Sequence, residues 1–143
     1  MEKKRNTAVF IDGENIPAKK AGDIMDIIKK DKKVTIDYIK VYGIQKDRST
    51  RSWTDVASYT EKMKDIRLYG PPAKNKVDNK IIKDAEESTQ RNPNVDIYYI
   101  VSSDHGYTSA VAELRKKGKR VVVIGEEKAP KKLRDSANRF ILV

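Results

Sequence analysis

The strongest constraint on the fold of this chain is an alternation along its sequence. Short blocks rich in β-branched and aromatic residues are separated by segments whose apolar residues recur at helical spacing. That alternation is expected of βαβ units, in which crossover helices join the strands of a mostly parallel sheet. Six blocks read as strands: Ala8–Ile11, Val34–Tyr42, Ile66–Tyr69, Val95–Val101, Arg120–Ile124 and Phe140–Val143. Between them, Ile24, Ile27 and Ile28 form one helical stripe, Trp53, Val56, Ala57 and Met63 a second, and Ile81, Ile82 and Ala85 a third. Tyr107, Ala110, Val111 and Leu114 follow the i, i+3, i+4, i+7 rule, with Gly118 where a helix C-cap glycine belongs. Pro130 is placed to open a short last helix over Lys131–Ala137. The polar, basic segment Gln45–Ser52 reads as an exposed loop, and Met1–Arg5 as a flexible tail.

Composition narrows the class. A chain of 143 residues fits one domain, residues 1–143, since domains cluster at about 100–150 residues. Charged residues make up 36%, a level at which disorder has to be weighed, but VFI, IYYIV and RVVVIG are too apolar for a solvating tail. No apolar run approaches the roughly 18–20 residues of a membrane span, and MEKKRNTAVFIDG lacks the pattern of a secretory leader, so the cytoplasm is expected. Without cysteine there are no disulfides, thiolate metal sites or Cys nucleophiles, and His105, the single histidine, excludes a zinc site built mainly of imidazoles. The formal charge of +10 points to polyanionic partners, although an excess of lysine also serves solubility.

In open α/β sheets ligands gather outside the carboxyl ends of the strands. Two blocks end there in polar residues: AVFI runs into Asp12-Gly13-Glu14-Asn15, and IYYIV into Ser102-Ser103-Asp104-His105-Gly106. Right-handed crossovers return strands with their C-terminal ends on one edge, which makes Asp12 and Asp104 neighbours. Singly, each reads as a turn or capping aspartate. Together, two carboxylates about 4 Å apart repel unless a cation or a proton sits between them, so a metal site follows. Asp78, in Lys74-Asn75-Lys76-Val77-Asp78 at the entry to the third helical stripe, is a third acid, with helix-dipole pairing as its structural reading. Asp84, six residues on, is turned by about 240° from it and belongs to a supporting layer at most.

The strings VFIDGEN, KVDNKIIKDAEE and YIVSSDHGYTSAVAELRKKGKRVVVIG, in this order and spacing, resemble the NYN domains, a branch of the PIN-like ribonuclease group. The resemblance runs from Ala8 to Gly125 and rests on the ordered set. It implies a three-layer α/β/α, PIN-like (Rossmann-like) fold with a mostly parallel sheet, and a divalent-metal-dependent nuclease active on RNA. Residue by residue, the family's first-strand acid falls on Asp12, its asparagine on Asn15, its helix-entry acid on Asp78 and the acid after its fourth strand on Asp104. Asp84 matches a further acid of that helix. Many members carry a second acid after the fourth strand where this chain has Gly106, which removes one potential ligand.

A site of this kind hydrolyses a phosphodiester with one or two Mg²⁺ or Mn²⁺ ions, and oxygen ligands suit both. Asp12, Asp78 and Asp104 are then direct or water-mediated ligands, Asn15 orients a water or the scissile phosphate, and Ser103 donates to a phosphate oxygen or caps a helix. Lys74, Lys76, Lys46, Arg48 and Arg51 are candidates for the substrate backbone. Trp53 and Tyr107 are placed for core packing by their apolar partners rather than for stacking on bases. The partners expected are RNA and, to complete a groove, a second copy or a protein partner; none is expected in a membrane. The alternative is a binding module of the same fold whose catalysis has faded, with Gly106 as its mark. A haloacid-dehalogenase-like phosphatase is weakened by Glu14 in place of a second aspartate, and dinucleotide binding by the absence of Gly-x-Gly-x-x-Gly after the first strand.

Overall fold

The central strand is apolar on both faces, and this decides the layering. The computed structural model describes residues 4–45, 47–71, 73 and 75–143. Along β1 (Arg5–Asp12), Ala8 and Phe10 face one core while Val9 and Ile11 face another. The first core is closed by α3 (Lys76–Arg91), α4 (Thr108–Lys116) and α5 (Lys131–Ser136), through Val77, Ile81 and Ala85, Val111 and Leu114, and Leu133. The second is closed by α1 (Ala21–Lys30) and α2 (Arg48–Tyr59), through Ile24 and Ile28, and Trp53 and Val56. Strands buried on both faces read as continuous apolar runs, which is why VFI and IYYIV lack polar alternation.

The other strands are β2 (Val34–Ile44), β3 (Met63–Leu68), β4 (Ile97–Val101), β5 (Arg120–Gly125) and β6 (Arg139–Leu142). All six pair in parallel, in the order β3-β2-β1-β4-β5-β6. The chain builds outward from β1 to β3, returns to lay β4 on the other side of β1, and builds outward again. The direction reverses between β1 and β4, and there the loops leaving two adjacent strands diverge and open a crevice.

Several sequence expectations shift. Gln45–Ser52 is not a loop throughout: α2 begins at Arg48, so Arg48 and Arg51 lie on its first turns. The stripe extends back to Thr50, buried with its Oγ1 donating to Ile44 O at 2.6 Å, and a small polar residue on the inner face of a helix reads as loop. Met63 is not the end of the second helical stripe but the start of β3; Lys62, at φ 67, turns the chain, and Met63 joins the core of Trp53 and Val56 from the sheet. Arg5 opens β1 and pairs with Val34, so the tail is shorter than expected, and residues 1–3 lie outside the described residues. Lys46 and Lys74 also lie outside them. Gly118 adopts φ 85 behind α4, with its N–H donating to Arg115 O and that of Lys119 to Leu114 O. Pro130 stands at the N-cap of α5. Among the described residues no helix is long and apolar enough to cross a membrane.

At Gly43 the sheet approaches α2 closely: a Cβ there would stand 2.3 Å from Thr50 Oγ1. Gly43→Ala is expected to force α2 off β2 and destabilise the protein by about 1–3 kcal/mol, the usual cost of overpacking. Urea unfolding measures this, and an unchanged midpoint would contradict the packing described.

Candidate active site

Asp12 ends β1 at the reversal point and is buried. Its carboxylate accepts four hydrogen bonds. Oδ1 takes the backbone N–H groups of Glu14 and Asn15, each at 3.2 Å; Oδ2 takes Ser102 Oγ at 3.2 Å and Tyr107 Oη at 3.0 Å. A carboxylate has about four lone-pair sites, so these donors fill them. Burial raises the Asp12 pKa, and the four donors work against that rise. Burial and the negative charges of Asp12 and Asp78 in turn push the Tyr107 phenol up, which keeps it a proton donor.

The loops that leave three neighbouring strands are stitched together behind this carboxylate. Asn15 Oδ1 accepts the Ser103 N–H at 2.8 Å, joining the exits of β1 and β4. Ser103 Oγ accepts the Glu126 N–H at 2.7 Å, joining β4 to β5. Ser102 Oγ accepts the Asp104 N–H at 3.1 Å while donating to Asp12, so one hydroxyl couples two of the acids. Asp104 then caps the turn that leads into α4, its Oδ1 accepting the Gly106 N–H at 2.9 Å.

Asp78, in the first turn of α3, meets Asp104 beside Gly106. A Cβ on Gly106 would lie 3.0 Å from Asp78 Oδ2 and 3.4 Å from Asp104 Oδ1. The carboxyl of Asp78 is pushed up to about 6, first by burial, then by the charge of Asp104, then by Asp12 and by a hydrogen bond that only the protonated form makes with Asp104. No Lys or Arg among the described residues is ion-paired with Asp12, Asp78 or Asp104. Among the described residues the basic group paired with these acids is the exposed His105, 3.4 Å from Asp104. Glu14 adds a further acid on the rim, its pKa raised by partial burial and by Asp47, Asp12 and Asp78.

The structure thus gathers Asp12, Asn15, Ser103, Asp78 and Asp104 at one edge of the sheet. Asp84 is engaged elsewhere: Tyr42 Oη donates to it at 2.7 Å and Lys80 Nζ lies 3.1 Å away, which ties α3 to β2. Lys76 Nζ donates to the carbonyls of Tyr69 and Pro71 and pins the preceding turn. Arg48 and Arg51 are exposed on α2. Trp53 is core, with Nε1 donating to Ile16 O at 2.8 Å. Sequence reasoning missed Ser102, Tyr107 and Glu14 as parts of the site. The i, i+2 spacing of Ser102 and Asp104 was a usable signal for the first, whereas Tyr107 was hidden by its apolar spacing.

Among the described residues no three His, Cys, Asp or Glu side chains are arranged to hold a metal ion. The donor chemistry of the Asp78–Asp104 pair nevertheless fits a hard divalent cation: oxygens only, facing one another, with no Lys or Arg among the described residues ion-paired to them. Two acids form that pair, and Asp12 contributes charge from within its hydrogen-bonded cradle.

The acids cluster at the reversal point of an open parallel sheet, and the family match assigns that sheet to the nuclease-type, PIN-like class. The family model for the NYN domain matches residues 6–143, and the chain belongs to that family. No curated protein matches the chain. Among solved structures, it is similar to the crystal structure of a protein of unknown function from Vibrio parahaemolyticus RIMD 2210633. That protein is 20% identical, with TM-score 0.78, over 100% of this chain and 95% of the other. The likeness is one of fold.

The raised Asp78 sets a pH dependence. Between its ordinary value of 3.8 and about 6, the folded state holds a proton that the unfolded state has released. The resulting stabilisation is complete below 3.8 and is lost as pH rises through about 6. With divalent ions chelated, Asp78→Asn is expected to stabilise the protein by about 1–3 kcal/mol at neutral pH. It should also flatten the fall in stability across that window. Unfolding curves from pH 4 to pH 8, at about half-unit steps, measure both effects, and a variant less stable than the wild type at neutral pH would overturn the assignment.

Proposed function

We propose that the protein is a metal-dependent ribonuclease that hydrolyses RNA phosphodiester bonds at the Asp12–Asp78–Asp104 edge. The observation that carries the reading is electrostatic. In a chain of formal charge +10, three carboxylates converge at the reversal point of the sheet, and no lysine or arginine among the described residues is paired to them. Folding against such repulsion is reasonable where a cation binds in use. Asp78 and Asp104 are the residues to hold it, with Asp12 adding its negative charge from within its hydrogen-bonded cradle. A bound Mg²⁺ or Mn²⁺ supplies Lewis acidity toward the phosphate oxygens and an activated water.

The remaining roles fall to the chain. Asn15 keeps its amide oriented through Oδ1, which leaves Nδ2, without a protein acceptor among the described residues, to donate to a phosphate oxygen. Tyr107 and Ser102 hold Asp12 in one position, so its charge is aimed before substrate arrives, the arrangement that makes electrostatic catalysis effective. Arg48 and Arg51, on the helix that leaves the same edge, are the exposed cations for the RNA backbone.

A second reading, a binding module of the same fold, is favoured by two particulars. Gly106 stands where many members carry another acid, and Asp12 already has all its lone pairs engaged. A single experiment separates the two. Labelled, mostly single-stranded RNA is incubated at low salt with Mn²⁺ or Mg²⁺, beside EDTA and the variants Asp12→Asn and Asp104→Asn. The ribonuclease reading expects cleavage that EDTA abolishes and each variant lowers by about 100-fold or more. Intact RNA together with a salt-sensitive gel shift selects the binding module.

A further inference from the structure

The edge of the sheet opposite the acids carries the reverse charge. There a cleft of about 850 Å³ opens between the end of α1 and the starts of the strands. Six basic side chains line it: Arg5, Lys30, Lys32, Lys33, Arg120 and Arg139. Among the described residues that line it, one acid, Asp31, stands against these six. Arg5, Arg120 and Arg139 are the first residues of β1, β5 and β6. Their guanidinium groups have no carboxylate partner among the described residues. The dipole of α1 accounts for a lysine at its C-terminus, such as Lys30, but not for arginines that open strands.

The floor is apolar: Ile27, Ile97 and Ile141 line it together with Tyr99. Tyr99 is 2% exposed, and its hydroxyl, which makes no hydrogen bond to the protein among the described residues, keeps contact with solvent. The phenol lies within the fields of Asp31, Arg139 and Arg120, which places its polar end toward the cationic rim. An apolar floor with a phenol hydroxyl at its surface, beneath a basic rim, suits a ligand that carries both an apolar ring and negative charge. The volume lies in the range of about 300–1,000 Å³ usual for small-molecule sites.

We propose that this cleft binds a nucleoside phosphate, with the base against the Tyr99 floor and phosphate oxygens on Arg120 and Arg139. The site lies a full strand length from the acids, about 16 Å along β4 at roughly 3.3 Å per residue, and stands whether or not they cleave RNA. The same chemistry is offered by a free nucleotide and by the 5′-phosphorylated end of an RNA.

Calorimetric titration of the full-length protein in EDTA at low salt tests this, with AMP, ATP and two short RNAs of one sequence bearing either a 5′-phosphate or a 5′-hydroxyl. Binding of ATP or AMP assigns the site to free nucleotides; preference for the 5′-phosphorylated RNA, without nucleotide binding, assigns it to an RNA end. In either case Arg120→Glu and Arg139→Glu are expected to weaken binding by about tenfold or more. Tyr99→Phe should weaken it several-fold, and Lys64→Glu, on the far strand β3, should leave it unchanged. Thermal unfolding of each variant confirms that it is folded. Three results overturn the proposal: no binding by any probe, equal binding of the two RNAs without nucleotide binding, or losses in Lys64→Glu as large as in the arginine variants.

Discussion

The parallel pairing of β1 with β4 is the constraint on which the rest depends. Parallel neighbours need crossovers, and when crossovers run outward in both directions from one central pair, that pair is left with no connection covering its C-terminal end. The sequence spends its most apolar residues on this pair, buried on both faces by two helical layers. The polar residues that follow are forced into a shared crevice. Asp12 and Asp104 are 92 positions apart in the chain and are brought together by the pairing of the strands that precede them.

Strand order alone does not dictate what the crevice does. The order found here is also that of dinucleotide-binding sheets, in which a glycine-rich turn and a helix N-terminus receive a pyrophosphate. Here the first turn after β1 carries Asp12 and Glu14, and a pyrophosphate would meet negative charge in that place. The hydrogen bonds of Ser102, Tyr107 and the Glu14 and Asn15 amides offset part of the cost of a buried carboxylate at Asp12, whose pKa burial still raises. Asp78 has only weak compensation and retains its tension as a raised pKa. The difference between the two acids follows from the donors around them.

Much of this was legible in the sequence. Apolar runs located the strands because strands buried on both faces need no polar alternation. Polar residues at two strand ends located the site because parallel topology collects such ends. What the sequence misread or left open shares a cause: side chains whose tertiary partner is invisible in one dimension. Thr50 is polar yet buried, because Ile44 offers it a carbonyl. Met63 falls at helical spacing after Trp53 but belongs to a strand, because Lys62 turns the chain. Lys76 sits beside Asp78 in sequence, yet its ammonium is committed to backbone carbonyls of the Tyr69–Pro71 turn. Tyr107 fits a core pattern, and it is in the core; only its hydroxyl reaches the site.

The outer strands of the sheet carry a different consequence. An exposed edge is a template for further strands, and proteins blunt it with short strands and charge. β6 is four residues long and opens on Arg139, while β3 carries Lys64, Asp65 and Arg67 within six residues. Neither edge invites a second chain to extend the sheet. The residues that frame the sheet therefore disfavour its growth by addition of a strand at either side.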